Sequence, residues 1–292
     1  MPEIAYVNGV WGPVAEAKVS IEDRGFQFGD GIYEVIVAYD GRPFLLDRHI
    51  ERFRHSAEGI QLHYDFAARP VEPIIREGLR RCGFPDVMIY IQITRGAAPR
   101  SHLPPVGMTP TVVMTFKPLP RLPESLRERG AKVMTVPETR WANCYIKAIT
   151  LLPNTLAKTE AAEGGYDDAI FVTAEGEVRE CTSSNVFIIH DGHLMFPPRN
   201  ESVLHGITQS FIMECAEAVD MPIREQQVML KDLRGADEVF LSSTLQEVLG
   251  ITLIDGKPVG DGRVGPWTKK LYAEFVARSR NARGAVAVAA PR

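Results

Sequence analysis

The stretch that most limits how this chain can fold is Lys117–Gly130, KPLPRLPESLRERG, which carries three prolines and several charges but no aromatic residue. Proline fixes φ and removes a backbone donor, so such a segment favours extended, exposed geometry. At 292 residues the chain is also too long for one ordinary hydrophobic core. Together these place a boundary here: a small α/β domain over 1–118, a linker over 119–131 and a larger domain over 132–292. The expected class is α/β (α+β).

Composition narrows the partners. A net charge of −4, with no basic run and no aromatic–basic interleaving, argues against nucleic acid. No apolar run approaches the ~20 residues of a membrane span. The amino terminus, MPEIAYVNG, lacks the basic-then-apolar layout of a secretory signal. Cys82, Cys144, Cys181 and Cys215 show no C-x-x-C spacing, which fits reduced thiols in a cytoplasmic protein.

Residue patterns give the local elements. A hairpin is expected about Asn8-Gly9, a strand over Ile32–Tyr39 entered through Gly25, Gly29 and Gly31, and a hairpin about Asp40-Gly41 returning over Pro43–Leu46. A helix follows from Leu46, with Asp47 as cap and Ile50, Phe53 and Ala57 on its apolar face. A second helix covers about Val71–Cys82, and VMIYIQIT and TVVMTFKP read as paired strands. Past the linker come the strand AKVMTVPE, a helix over Leu156–Gly164, strand pairs around 168–196, the amphipathic LHGITQSFIMECAEAV, further strands and a helix near Gly265–Ser279. The tail ARGAVAVAAPR is expected to be loosely held.

Within NCYIKAITLLPN, Lys147 stands in an otherwise apolar run. An ammonium removed from water is costly unless it is paired or loses its proton, and a neutral amine attacks aldehydes. The plainer reading is a strand-edge lysine whose head reaches water. Three features suit a phosphate: the helix start after HGIT, where Ile207 and Thr208 would present backbone amides; the hydroxyls of Ser242, Ser243 and Thr244 after a strand; and Arg52 on the first long helix. Singly, each is more ordinarily a helix cap or a solvated side chain. In RECTSSNVF, small polar residues leave room for a flat ring, and the Glu180 carboxylate can meet a ring nitrogen. Walker loops, a complete G-x-G-x-x-G, G-x-S-x-G and H-E-x-x-H are absent, and His190 and His193 read as hairpin residues with no metal.

EDRGFQFGDGIYEV, TRGAAPRSH, YIKAITLLPN, RECTSSNVF, LHGIT and SST, in this order and spacing, resemble the class IV (fold type IV) pyridoxal-phosphate aminotransferases, and most of all the D-amino-acid branch. The likeness runs to about Arg278. It implies a homodimer of chains with a small α/β and a larger pseudo-barrel domain, and the cofactor between them. It makes Lys147 the Schiff-base lysine, Glu180 the partner of the pyridine nitrogen, and Arg52, Ile207, Thr208, Ser243 and Thr244 the phosphate holders. Tyr33 would receive substrate, Arg100 and His102 would reach from the partner subunit to the α-carboxylate, and Arg140 would support the site without direct contact. The implied reaction is ping-pong transfer of an amino group from a D-amino acid such as D-alanine to a 2-oxo acid such as 2-oxoglutarate. Branched-chain or (R)-amine transaminase, aminodeoxychorismate lyase and a non-catalytic cofactor carrier remain alternatives. Phe196 and Gln209 depart from the family's usual Thr and its usual Arg or Lys.

Overall fold

In the computed structural model, which describes residues 3–280, Asn8 and Gly9 take φ values of 46° and 98°. Both central residues of a tight hairpin turn need positive φ, and asparagine and glycine tolerate it. The turn joins β1 (Ile4–Val7) to β2 (Val10–Pro13). With β3 (Gly31–Tyr39), β4 (Arg42–Pro43), β5 (Val87–Thr94) and β6 (Thr111–Pro118) they form an antiparallel sheet in the order β2-β1-β6-β5-β3-β4. Side chains alternate across a strand, so Ile89, Ile91 and Ile93 of β5 share a buried face with Ile32 and Ile36 of β3. Phe53 and Ala57 of α2 (Leu46–Gly59) and Ile75 and Leu79 of α3 (Glu72–Cys82) join that core; ahead of β3 lies a one-turn helix, α1 (Arg24–Phe28).

Two local expectations change. Asp47 does not cap α2: Leu45 holds the cap position at φ 54° with no side-chain bond, and Asp47 sits in the first turn, where its charge still suits the helix dipole. The return strand also stops at Pro43, because Leu45 turns the chain into α2.

The second sheet is mixed. Its strands are β7 (Ala131–Pro137), β8 (Asp168–Val172), β9 (Val178–Cys181), β10 (Asn185–His190), β11 (His193–Phe196), β12 (Ile223–Glu225), β13 (Glu238–Ser243), β14 (Glu247–Ile254) and β15 (Lys257–Pro258). The order is β12-β11-β10-β13-β14-β7-β8-β9, with β15 on β14. β7 runs parallel to β8 and β14, and β11 to β12. β8, β10, β13 and β14 are buried almost throughout. That is why they read as unbroken apolar runs.

The helices after β6 are α4 (Glu124–Arg129), α5 (Leu152–Glu163), α6 (Ile207–Ala218), α7 (Leu230–Arg234) and α8 (Pro266–Arg280). α5 starts ahead of the expected Leu156, since Pro153 fits a first helical turn, where no donor is needed. α4 lies in the proline-bearing stretch: Leu122 and Leu126 pack on the second core, and Arg127 pairs with Glu247 at 2.8 Å. α8 is capped from β13, whose Glu238 carboxylate accepts the Trp267 and Thr268 amides at 3.0 and 2.8 Å.

The chain divides into two compact units, neither of them continuous. One takes in the chain up to Arg121, Arg140–Thr155 and Arg199–Ile207; the other takes in Leu122–Thr139, Leu156–Pro198 and the chain from Thr208 onward. The continuous division expected over 1–118, 119–131 and 132–292 makes no provision for the two later segments, one bearing Lys147, that group with the first unit. Among the described residues no helix is long and apolar enough to cross a membrane. The tail ARGAVAVAAPR lies outside the described residues.

Gly78 on α3 faces the Phe116 ring so closely that any Cβ would collide with it. Overpacking of this kind costs about 1–3 kcal/mol. Gly78→Ala is therefore expected to lower the urea midpoint, although alanine is the better helix former in isolation.

Candidate active site

β4 pairs only with Ala38 and Tyr39, which leaves the beginning of β3 with an open edge. The Lys147 segment fills it. The Tyr33 amide donates to the Lys147 carbonyl at 3.0 Å, the Ile149 amide donates to the Gly31 carbonyl at 3.1 Å, and Ile32 bridges Ala148. Gly31 suits the crossing, because a Cβ there would stand 2.8 Å from the Ile93 carbonyl oxygen. Ser56 of α2 fixes the other side by accepting the Lys147 amide at 3.1 Å. Cys144, Ile146 and Ala148 are buried while Lys147 is half-buried. Its Nζ lies 4.3 Å from the centre of the Tyr33 ring, which stacks on Tyr90. Burial, and then the neighbouring Tyr33, push the Tyr90 hydroxyl up to about 12.

Strand alternation sends Glu34 to the face opposite Tyr33, among Ile32 and Ile36 and under α2. There it is 1% exposed and held on three bonds. Arg52 donates through Nε to Oε1 at 2.7 Å and through Nη2 to Oε2 at 2.8 Å, and His49 Nδ1 meets Oε2 at 2.8 Å. Burial opposes the Glu34 charge, but Arg52 above all, then His49, outweighs it and holds the carboxyl at about 2. For His49 burial is the larger effect and lowers its pKa, against the pull of Glu34. Arg52 keeps one further donor, Nη1, on the His205 carbonyl at 3.1 Å, just ahead of Ile207. Glu34, His49 and Ser56 were missed by sequence reasoning. The signal was present: Glu34 shares the period of Ile32 and Ile36, and His49, Arg52 and Ser56 recur at helical spacing.

Arg100 and His102 lie on an exposed loop of the same unit, against Phe28: the Arg100 guanidinium is 4.5 Å from the ring centre and the His102 ring 5.6 Å. Arg140 reaches the Ser202 carbonyl at 3.5 Å.

In the second unit, Glu180 on β9 is 6% exposed and accepts from Asn185 Nδ2 at 3.0 Å. Asn185 opposes Ser242 in the β10–β13 ladder. Among the described residues the buried Ser242 hydroxyl has no hydrogen-bond partner, and Ser184 is buried beside Cys181. Ser243 bonds Gln246, Thr244 is half-buried beyond it, and the buried Thr208 follows Ile207 at the start of α6. Phe196 is wholly buried and packs edge-on against Phe187, and Gln209 is 1% exposed. His190 and His193 flank the hairpin turn at Asp191-Gly192. No group of three or more His, Cys, Asp or Glu among the described residues could hold a metal ion.

Comparison with known proteins defines the class. The family described as amino-transferase class IV matches residues 31–254. The D-alanine aminotransferase of Staphylococcus haemolyticus is 42% identical over 270 residues, 92% of this chain and 95% of that one. Among solved structures, the branched-chain amino acid aminotransferase of Escherichia coli superposes with a TM-score of 0.88 at 27% identity, covering 96% of each chain. The branched-chain aminotransferase of Thermoproteus uzoniensis, solved with norvaline, gives 0.86 at 28% identity over 96% of this chain and 95% of that one. The chain belongs to the class IV aminotransferases. It is a transaminase of fold type IV.

Enzymes of this class use pyridoxal phosphate, and the residues fit it. In the first unit a half-buried amine stands over an aromatic face and an arginine is fixed by a buried carboxylate; in the second a buried carboxylate is oriented by Asn185, and the buried Ser242 hydroxyl has no partner among the described residues.

Removing one partner of a buried ion pair costs about 3–5 kcal/mol, so Glu34→Gln should lower stability at neutral pH by that order. Glu34 is depressed from 4.5 to about 2, so its contribution is complete above the upper value and lost as pH falls toward the lower one. The gap in urea midpoint between the two proteins should therefore close as pH falls from 4.5 to about 2.

Proposed function

We propose that this aminotransferase moves the amino group of a D-amino acid such as D-alanine to a 2-oxo acid such as 2-oxoglutarate in a ping-pong cycle. The observation that carries the chemistry is the Lys147 amine 4.3 Å from the Tyr33 ring centre, on a segment hydrogen-bonded to β3. The choice of D-amino acids is supported by the 42% identity to a D-alanine aminotransferase over most of both chains.

Bound pyridoxal phosphate supplies an aldehyde that captures an amine and a ring that takes up the electron pair released at the α-carbon. Lys147 Nζ would hold the group through its aldehyde. Its amine, when not so engaged, would act as general base for the substrate α-proton. Glu180 would meet the ring nitrogen and favour its protonated form, which would keep the ring electron-poor. Arg52, the amides of Ile207 and Thr208 and the hydroxyls of Ser243 and Thr244 hold the phosphate, with Glu34 fixing the arginine's fork. Tyr33 receives the substrate beside the reacting carbon, and Arg100 and His102 bind its α-carboxylate.

We also read the protein as a cytoplasmic homodimer. All four cysteines are buried and none is in a disulfide, as a reducing compartment favours. Ile21, Phe26, Leu103 and Val106 are exposed large apolar side chains. Their two stretches are held side by side, since the Arg24 amide donates to the Gly96 carbonyl and the Ala98 amide to the Glu22 carbonyl. Exposed apolar side chains on two such neighbouring stretches suit a second copy.

Lys147→Ala should abolish turnover and leave no cofactor attached to the chain after borohydride reduction. The unsubstituted protein should lose its cofactor absorbance with D-alanine and much less with L-alanine or L-leucine. A preference for the L-amino acids would favour the branched-chain reading suggested by the solved structures. Light scattering should give twice the 32.4 kDa of one chain, and Leu103→Glu with Val106→Glu should shift that mass toward the monomer.

A further inference from the structure

Arg24 is a buried arginine, 5% exposed, on a helix of only five residues. A guanidinium is seldom buried unless every donor is used. Its Nε donates to Asp30 at 2.8 Å, Nη1 to the Ser101 carbonyl at 2.5 Å, and Nη2 to the His102 carbonyl at 3.1 Å. The charge is thus matched by Asp30, while the fork grips the backbone of an otherwise exposed loop. Four residues along, on the same helical face, stands Phe28. Its ring is approached by the Arg24 guanidinium at 4.8 Å, the Arg100 guanidinium at 4.5 Å and the His102 ring, edge-on, at 5.6 Å. Both ends of the helix are fixed: Asp23 accepts the Gly25 amide at 2.8 Å, and Gly29 closes it at φ 68°. One turn of helix therefore grips the loop backbone with one residue and both of its functional side chains with another.

We propose that Arg24 and Phe28 are positioning residues for the α-carboxylate of the substrate, acting through Arg100 and His102. The proposal rests on the reading of Arg100 and His102 as the carboxylate partners. A long arginine side chain loses rotamer freedom when it binds an anion, unless it is already confined. A ring that attracts the guanidinium confines it, and the grip of Arg24 keeps the loop under that ring. Neither residue touches substrate. Their effect should therefore fall on substrate affinity, with the proton transfer at Lys147 left alone.

The test is a double-mutant cycle on the holoenzyme with D-alanine, using Phe28→Leu, Arg100→Ala and their combination, with Phe28→Trp as the conservative replacement. Phe28→Leu should raise KM about tenfold, or about 1.4 kcal/mol, with kcat within about twofold. Phe28→Trp, which keeps a ring face for the cation, should restore most of the loss. On the Arg100→Ala background, Phe28→Leu should add less than about twofold, since there is no guanidinium left to orient. Arg24→Lys keeps the charge beside Asp30 but loses the fork, and should also raise KM ahead of any fall in kcat. Equal effects of Phe28→Leu on both backgrounds would overturn the proposal, because a merely structural ring acts independently of Arg100. A KM raised by Arg100→Ala but untouched by Phe28→Leu would overturn it too, leaving the carboxylate reading intact. An Arg100→Ala enzyme with unchanged KM would remove that reading and this one together.

Discussion

The open edge of β3 is the constraint on which the first unit's chemistry depends. A strand edge offers unpaired amides and carbonyls, and proteins cover it or blunt it. Here β4 covers one end and the Lys147 segment covers the other, through bonds at Tyr33 and Gly31. The same bonds fix where the lysine amine stands, because its backbone is held to β3 and its neighbours Ile146 and Ala148 are buried in the core. The roles proposed for that amine, holding a cofactor and moving protons, gain from a backbone held rigid.

Alternation along β3 separates two tasks by one residue. Tyr33 looks toward the lysine, while Glu34 looks into the core and holds His49 and Arg52. A carboxylate at 1% exposure is tolerable only with such partners, and it makes the arginine's orientation part of the core itself. Arg52 is thereby fixed by the folding of the first unit.

Much of this was legible in the sequence. The hairpins at Asn8-Gly9 and Asp191-Gly192 have turn chemistry with a single reading, and β5 and β6 declare themselves by period. The fold class and the family were equally plain, because ordered motifs run through almost the whole chain. What escaped notice depends on partners distant in sequence. α1 is one turn long, too short for periodicity, and its ends are set by Asp23 and Gly29. Glu34 looked like part of a motif when it is the anchor of a buried ion cluster. α4 hid in a proline-bearing stretch because Leu126 packs on the second core and Arg127 finds its partner, Glu247, on a strand more than a hundred residues later.

The interleaving of the two units bears on how the chain is made. Synthesis runs from the amino terminus, and domains that are continuous can fold as they emerge. This first unit cannot close that way. The strand edge beside Tyr33 waits for Lys147, and the Arg52 donor waits for the His205 carbonyl. By then β7 to β11 of the second unit have already left the ribosome. The six-stranded sheet must spend that interval with an uncovered edge and a buried arginine short of one acceptor. The nascent chain is thus most exposed to mispairing before residue 147, and the Arg52–His205 tie forms only once residue 205 is made.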